Sequence, residues 1–164
     1  IERCIIGGQI EGGNKTNNLM IKNCVLLSDG NYFMSSITNL IIQNSIILCT
    51  NGWGFLYSSS SFTLKNNLFV RGEFSIPSFS MTGNIFGIPA ADIFVDAGKG
   101  DYRIKPTLTQ AFTMATDGKE VGIFGTSYPF LVPTYAPRFT AIDNAESVVD
   151  GKLSVKMKVE ARNR

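Results

Sequence analysis

A block of alternating apolar and polar residues recurs along the first half of the chain and constrains its fold more than any other feature. Residues 18–26 read Asn-Leu-Met-Ile-Lys-Asn-Cys-Val-Leu, and residues 39–47 read Asn-Leu-Ile-Ile-Gln-Asn-Ser-Ile-Ile. Similar blocks begin at residues 61 and 78. One apolar position recurs in steps of 20, 21, 22 and 17 residues, at Ile1, Ile21, Ile42, Leu64 and Met81. A period near twenty with a strand-like block in each repeat is typical of a solenoid.

The blocks that begin at residues 18, 39 and 61 each contain a strand that ends at an asparagine. Leu19 and Ile21 point to one side of the strand and Met20 to the other, which is the two-residue period of β structure. Asparagine tolerates the left-handed backbone conformation that a sharp turn requires. The asparagines at this position are Asn23, Asn44 and Asn66, with Arg3 before them and Gly83 after them. We predict that the three asparagines stack at successive turns about 4.8 Å apart, where their amides can form a hydrogen-bonded ladder.

A further strand in each repeat follows a glycine and carries the candidate binding residues. Aligning these strands on their glycines places Glu11 in one row with Phe33 and Phe55. The outward residues of the aligned strands are Trp53, Phe33, Phe55, Asn31, Glu73 and Glu11. An aromatic surface fringed by amide and carboxylate groups suits a sugar ring. The alternative is that these aromatic side chains pack beneath a loop or beneath the C-terminal hairpin.

The acidic residues are too sparse to predict catalysis. Glycoside hydrolysis uses two carboxyl groups about 5–9.5 Å apart. Glu11 and Glu73 are three repeats apart, on the order of 14 Å at the spacing of strands. The chain has no histidine, and its acidic residues are not clustered as calcium ligands are. We therefore expect no catalytic residue, no metal site and no cofactor within the 164 residues.

Charge and hydropathy exclude two classes of partner. With 15 basic and 13 acidic residues the net charge is +2, which is too balanced to predict nucleic-acid binding. No apolar run approaches the roughly 18 residues of a membrane-spanning helix. Cys4 and Cys24 occupy one position in successive repeats, and strand spacing allows either a disulfide or two stacked free thiols.

The second half of the chain departs from the repeat. Residues 128–137 contain three prolines and predict an extended connector. Asp150-Gly151 lies between residues 146–149 and residues 152–161, which predicts a β-hairpin with one apolar face. We divide the chain into repeats over 1–90, a closing segment over 91–127, and the connector with the hairpin over 128–164.

The repeats resemble the right-handed parallel β-helix proteins, the superfold of pectate lyases and many surface proteins. Residues 93–104, with Phe94-Val95-Asp96 and Gly100-Asp101-Tyr102-Arg103-Ile104, resemble the closing segment of secreted bacterial β-helix proteins, as does 117–125. Thr109-Gln110-Ala111 stands where such proteins carry Ser-Pro-Ala. The resemblance implies an all-β fold of about four to five β-helix coils, a C-terminal cap and a terminal hairpin.

The resemblance also implies a secreted or cell-surface bacterial protein. The fold hosts many activities, so it does not by itself identify one. The best hypothesis is a non-catalytic module that associates with polysaccharide or acts in adhesion. One alternative is the C-terminal end of a polysaccharide lyase or glycoside hydrolase whose active coils precede Ile1, and another is a structural spacer. The chain begins without Met inside a repeat, so we expect the apolar edge of its first coil to be exposed, to be covered by another molecule or to be disordered.

Overall fold

The computed structural model describes residues 1–27, 34–49, 56–57, 60–74, 79–126, 138–144 and 155–160. The chain divides into two compact units, Ile1–Phe130 and Leu131–Arg164, and each is considered by itself. The described residues are mostly β-strands, and their α-helical content is the single turn α1 (Ala90–Ile93).

Among the described residues of the first unit, nine strands form two parallel sheets. They are β1 (Ile5–Ile6), β2 (Ile10–Lys22), β3 (Val25–Leu26), β4 (Met34–Gln43), β5 (Ile46–Ile47), β6 (Leu56–Tyr57), β7 (Ser60–Lys65), β8 (Leu68–Phe69) and β9 (Phe79–Thr82). One sheet has the order β1-β3-β5-β8, and the other has the order β2-β4-β7-β9 with β6 beside β4. Along the chain the strands alternate between the two sheets, except that β6 and β7 follow one another in the second sheet, where both pair with β4.

The strand register predicted from the main repeat is confirmed. One row of paired residues contains Ile21, Ile42, Leu64 and Met81, and another contains Ile5, Val25, Ile46 and Leu68. Because equivalent residues of successive repeats pair directly, each apolar position of the repeat becomes an apolar row along the sheet.

These apolar rows form the core of the first unit. Ile21, Ile42 and Leu64 are fully buried, and so are Leu40 and Phe62 two positions earlier on their strands. Burying a side chain of this size stabilises the fold by about 1.5–3 kcal/mol. The alternate positions of the same strands are mostly exposed or half-buried, so the sheet has one face in the core and one face outside it.

The chain turns after these strands at residues with positive φ. Asn23, Asn44 and Asn66 have φ between 51° and 53°, and the equivalent residues Arg3 and Gly83 have φ of 56° and 65°. The backbone N–H groups of the three asparagines donate to the neighbouring repeat at 2.9–3.1 Å. The asparagines thus lie at equivalent turns of successive repeats.

A second column of left-handed residues bends the long strands themselves. Asn18, Asn39 and Ser61 have φ of 62°, 56° and 64°, although the repeat pattern places them at the start of a regular strand. The side-chain amide of Asn39 donates to the side-chain oxygen of Asn18 at 3.2 Å. An amide–amide hydrogen bond between repeats therefore forms at this exposed bend.

A buried ladder of side chains follows the asparagine turns by one residue. It consists of Cys4, Cys24, Ser45, Asn67 and Asn84. The N–H of Ser45 donates to the Asn67 Oδ1 at 2.9 Å, and the N–H of Asn67 donates to the Asn84 Oδ1 at 2.9 Å. Each side chain after Cys4 thus accepts from a backbone N–H of the preceding repeat. Such a donor is costly to leave unpaired where it is buried.

The register predicted for the glycine-led strands is wrong at its first step. Glu11 pairs with Ser35 and not with Phe33. The chain advances five residues from Glu11 to Thr16 but two from Ser35 to Ile37, so β2 bulges there. A β-carbon at Gly12 would overlap the carbonyl oxygen of Ser36, so the close approach of the two strands requires glycine.

After β9 the chain forms α1 and an antiparallel pair of strands. These strands are β10 (Phe94–Asp96) and β11 (Asp101–Ile104), and the Phe94 and Tyr102 rings meet edge to face at 5.3 Å between centroids. Short 3₁₀ turns cover Ala97–Lys99 and Thr109–Phe112. Ile93, Phe94 and Ile104 are buried.

The described residues of the second unit form an antiparallel pair, β12 (Arg138–Asn144) and β13 (Val155–Glu160). The predicted strand over residues 152–161 is thus present in part, but its described partner is β12 rather than residues 146–149. Phe139 pairs with Val159 and Ile142 pairs with Met157. Residues 145–154, which include Asp150-Gly151, and the predicted connector 128–137 lie outside the described residues.

Removing one rung of the buried ladder should destabilise the first unit. Asn67 is completely buried, and its side chain accepts from the Ser45 N–H and donates to the Ile42 carbonyl at 2.8 Å. We expect Asn67→Ala to lower the free energy of unfolding by about 3 kcal/mol, because two buried backbone groups lose their partner. Urea denaturation measures this change. The exposed control Thr82→Ala should change it by less than about 0.5 kcal/mol, and equal effects of the two substitutions would contradict the role of the ladder.

Candidate functional site

The predicted carbohydrate platform falls largely outside the described residues. Trp53, Phe33, Phe55 and Asn31 all lie there. Of the remaining two residues, Glu11 is exposed on β2, and Glu73 is exposed in the segment after β8. No described contact brings Glu11 and Glu73 together, so the platform stays a prediction.

The aromatic residue next to Glu73 belongs to the core. The Phe74 ring packs edge to face against Phe69 and Phe86 at centroid distances of 5.7 and 5.6 Å. The Arg71 guanidinium lies over the Phe74 ring at 4.7 Å. Phe74 and Ile10 both pack against the core, as the prediction required for Glu73 and Glu11 to face outward.

The outer face of the β2-β4-β7-β9 sheet presents side chains from four neighbouring strands. Three rows of side chains cross its strands in register. They are Asn18, Asn39 and Ser61; Met20, Ile41, Thr63 and Ser80; and Lys22, Gln43, Lys65 and Thr82. The rows combine amides, hydroxyls and ammonium groups with the exposed Met20 side chain. We call this surface the sheet face.

The alternating pattern predicts the inward positions of these strands as core residues. It does not identify their outward positions as a site. The outward set has no shared hydrophobicity: its most apolar row runs from Met20 and Ile41 to Thr63 and Ser80. The available signal was the alternation itself, because every inward residue of the repeat implies an outward neighbour with the same strand spacing.

The charge on the sheet face is positive and unevenly distributed. Lys22 and Lys65 lie on either side of Gln43, so their backbones are separated by two strand spacings, about 9.6 Å. Glu2 is the backbone partner of Lys22 at the first repeat, and Lys22 is half-buried. Lys65 is exposed, so it is the cation of this row best placed to contact an anionic or hydroxyl-rich ligand.

One edge of the sheet face is fixed by residues 114–122, which we call the clasp. The Gln43 side-chain amide donates to the Thr116 hydroxyl at 2.8 Å. Asn44 donates to the same hydroxyl at 3.0 Å and accepts from the Thr116 N–H at 3.0 Å. The side-chain amide of Asn23 donates to the Gly122 carbonyl at 3.4 Å, and the side-chain amide of Asn66 donates to the Met114 carbonyl.

The three turn asparagines therefore hold the clasp through their side chains, rather than bonding to one another as a ladder. The clasp crosses three successive repeats, with Met114 at Asn66 and Gly122 at Asn23. Gly122 has φ of 80°, and a β-carbon there would lie 2.8 Å from the Ile46 side chain. A larger residue at Gly122 would thus be strained and crowded against the core.

The paired carboxylates of β10 and β11 each contact a cation. Asp96 and Asp101 are cross-strand partners on β10 and β11. Each is bound by its own cation, because Lys99 contacts Asp96 at 2.9 Å and the Arg103 Nε donates to Asp101 at 2.7 Å. Within the described ranges, no three His, Cys, Asp or Glu side chains are grouped closely enough to hold a metal ion.

A search of the described residues finds no helix with the length and hydrophobicity needed to cross a membrane. Comparisons with protein-family models, with curated proteins and with solved structures find no match to this chain. Any functional proposal therefore depends on the residues and their geometry.

The contact between Asn44 and Thr116 of the clasp should stabilise the first unit. Asn44→Gly keeps the positive φ accessible and removes only the side-chain hydrogen bonds, so it should lower the free energy of unfolding by about 2 kcal/mol. Thr116→Val removes the hydroxyl that Asn44 and Gln43 share. In a double-mutant cycle measured by urea denaturation, the two substitutions should be coupled by at least about 0.5 kcal/mol. Additive effects would show that the clasp does not depend on this contact.

Proposed function

We propose that residues 1–90 form coils of a right-handed parallel β-helix, closed by residues 91–127, in a secreted or cell-surface bacterial protein. The parallel order of two sheets, the direct pairing of equivalent residues and the left-handed turns at equivalent positions support this assignment. The proposed role is a non-catalytic module that binds an extended polysaccharide, as an adhesive or carbohydrate-associated surface.

The single observation that carries the binding role is the registered sheet face. Two of its rows carry a polar group on every strand, about 4.8 Å apart, and the row from Lys22 to Thr82 extends over on the order of 14 Å. A linear polymer that repeats its own hydroxyl or carboxylate groups can contact such rows several times. Several weak contacts held at fixed spacing give useful affinity because the sheet is already ordered before binding.

The non-catalytic assignment rests on the distribution of carboxylates. The two carboxylates of the predicted platform are on separate elements, and the paired Asp96 and Asp101 each bind a neighbouring cation. The alternative, that the chain is the end of a polysaccharide lyase or glycoside hydrolase, requires active residues outside those described. Release of shorter products from a bound polysaccharide would favour that alternative, whereas binding without cleavage favours the proposal.

Glycan-array binding by the purified chain tests the proposal directly. Neutral and acidic oligosaccharides are both needed as probes, because the sheet face offers amides and hydroxyls as well as Lys65. We expect Lys65→Ala to weaken binding about tenfold, the effect of losing about 1.4 kcal/mol from a charged hydrogen bond. The matched control Lys99→Ala removes an exposed cation on the segment between β10 and β11 and should leave binding unchanged. Absence of binding to every probe by the folded wild-type chain would contradict the proposal.

A Trp53→Ala variant separates the two candidate surfaces. If the predicted aromatic platform is the binding site, this variant should lose about 1–2 kcal/mol of glycan affinity while remaining folded. Lys65→Ala should then bind normally. If the sheet face is the site, the pattern is reversed. Titration of both variants with the same oligosaccharide, after circular dichroism has established that they are folded, measures the difference.

A further inference from the structure

Cys4 and Cys24 occupy equivalent positions in the first two repeats and contact each other. The backbone N–H of Cys4 donates to the Cys24 Sγ at 3.4 Å. The neighbouring pairs fix this alignment, because Glu2 bridges to Lys22 and Ile5 pairs with Val25. Parallel strands lie about 4.8 Å apart, which is within the Cα separation that a disulfide spans.

The two thiols have the same orientation. The Cys4 Sγ donates to the Glu2 carbonyl at 3.2 Å, and the Cys24 Sγ donates to the Lys22 carbonyl at 3.2 Å. The sulfurs therefore lie on the same side of their strands, one repeat apart. A thiol is a weak donor, so rotating the two sulfurs away from these carbonyls and toward each other costs little.

The two cysteines differ in their access to solvent. Both are free thiols; Cys4 is half-buried and Cys24 is fully buried. Burial raises the pKa of the Cys24 thiol above its ordinary value, so Cys24 reacts poorly with reagents in solution. Cys4 is thus the thiol that a small molecule reaches first, and Cys24 is the thiol that can reach Cys4.

We propose that Cys4 and Cys24 form a thiol–disulfide exchange site whose substrate is a small-molecule disulfide such as glutathione disulfide. The Cys4 thiolate attacks one sulfur of the substrate, forming a mixed disulfide and releasing one glutathione thiolate. Cys24 passes its proton to the glutathione thiolate just released and attacks the Cys4 sulfur, which breaks the mixed disulfide and releases the second glutathione. Two electrons pass from the protein thiols to the small disulfide, and a Cys4–Cys24 bond remains.

The new bond joins the first repeat to the second. It closes a loop between residues 20 positions apart in sequence, and loops of this size give disulfides a clear stabilising effect. The oxidised chain should therefore unfold at a temperature higher by on the order of 5 °C.

The test is to incubate the reduced, folded chain with glutathione disulfide and map its peptides by mass spectrometry. We expect a peptide pair joined between Cys4 and Cys24, with Cys49 still reduced. A stable glutathione adduct on Cys4 beside a reduced Cys24, a bond that includes Cys49, or three unreacted thiols would each overturn the proposal. The peptide map of the wild-type chain tests for the Cys4–Cys24 bond by itself, so the result does not depend on whether a variant folds.

Serine variants provide matched controls for the order of the two steps. Serine suits this column, because Ser45 already occupies it and accepts from the Cys24 N–H at 3.1 Å. Cys24→Ser should trap glutathione on Cys4, and Cys4→Ser should leave Cys24 unmodified. Cys49→Ser should form the Cys4–Cys24 bond as the wild type does. Glutathione on Cys24 in the Cys4→Ser chain would contradict the assigned order of attack.

Discussion

The first unit depends on satisfying the backbone donors that its repeated turns bury. The turns at Arg3, Asn23, Asn44 and Asn66 are each followed by a residue whose N–H faces the next repeat. In the described repeats this donor binds a side chain of the next repeat: a thiol for Cys4, a hydroxyl for Cys24 and an amide oxygen for Ser45 and Asn67. An unpaired buried N–H costs about 1–3 kcal/mol. The repeat therefore requires an acceptor at this position, and its apolar rows alone are not enough.

The acceptors become stronger along the ladder. Sulfur is a weak acceptor, whereas the Asn67 and Asn84 side chains accept and also donate to carbonyls at 2.8 Å. Cys4 and Cys24 are the members of the ladder that can replace a weak hydrogen bond with a covalent bond between them. The same position in the repeat thus serves as a structural rung near β8 and as a candidate redox pair near β1.

The sequence predicts the part of this fold that repeats and misses the part that does not. Alternation placed Ile21, Ile42 and Leu64 in one row because inward positions share hydrophobicity over several repeats. It failed at Glu11, because three extra residues bulge out of β2 without disturbing the apolar pattern on either side. Among the candidate site residues, the sheet face was missed for a related reason: outward side chains such as Thr63 and Lys65 share spacing but no common chemistry.

The sequence predicts the turn positions of the three asparagines correctly but not the partners of their side chains. A left-handed residue was expected at Asn23, Asn44 and Asn66, but the destination of their amides depends on the clasp, whose Thr116 lies 72 residues beyond Asn44 in the chain. Local sequence cannot disclose such a partner. A stack of repeats held only by neighbouring contacts can fray one repeat at a time. Because the clasp binds three successive turns at once, opening any one of them disturbs a segment shared with the other two, which couples the repeats that carry the sheet face.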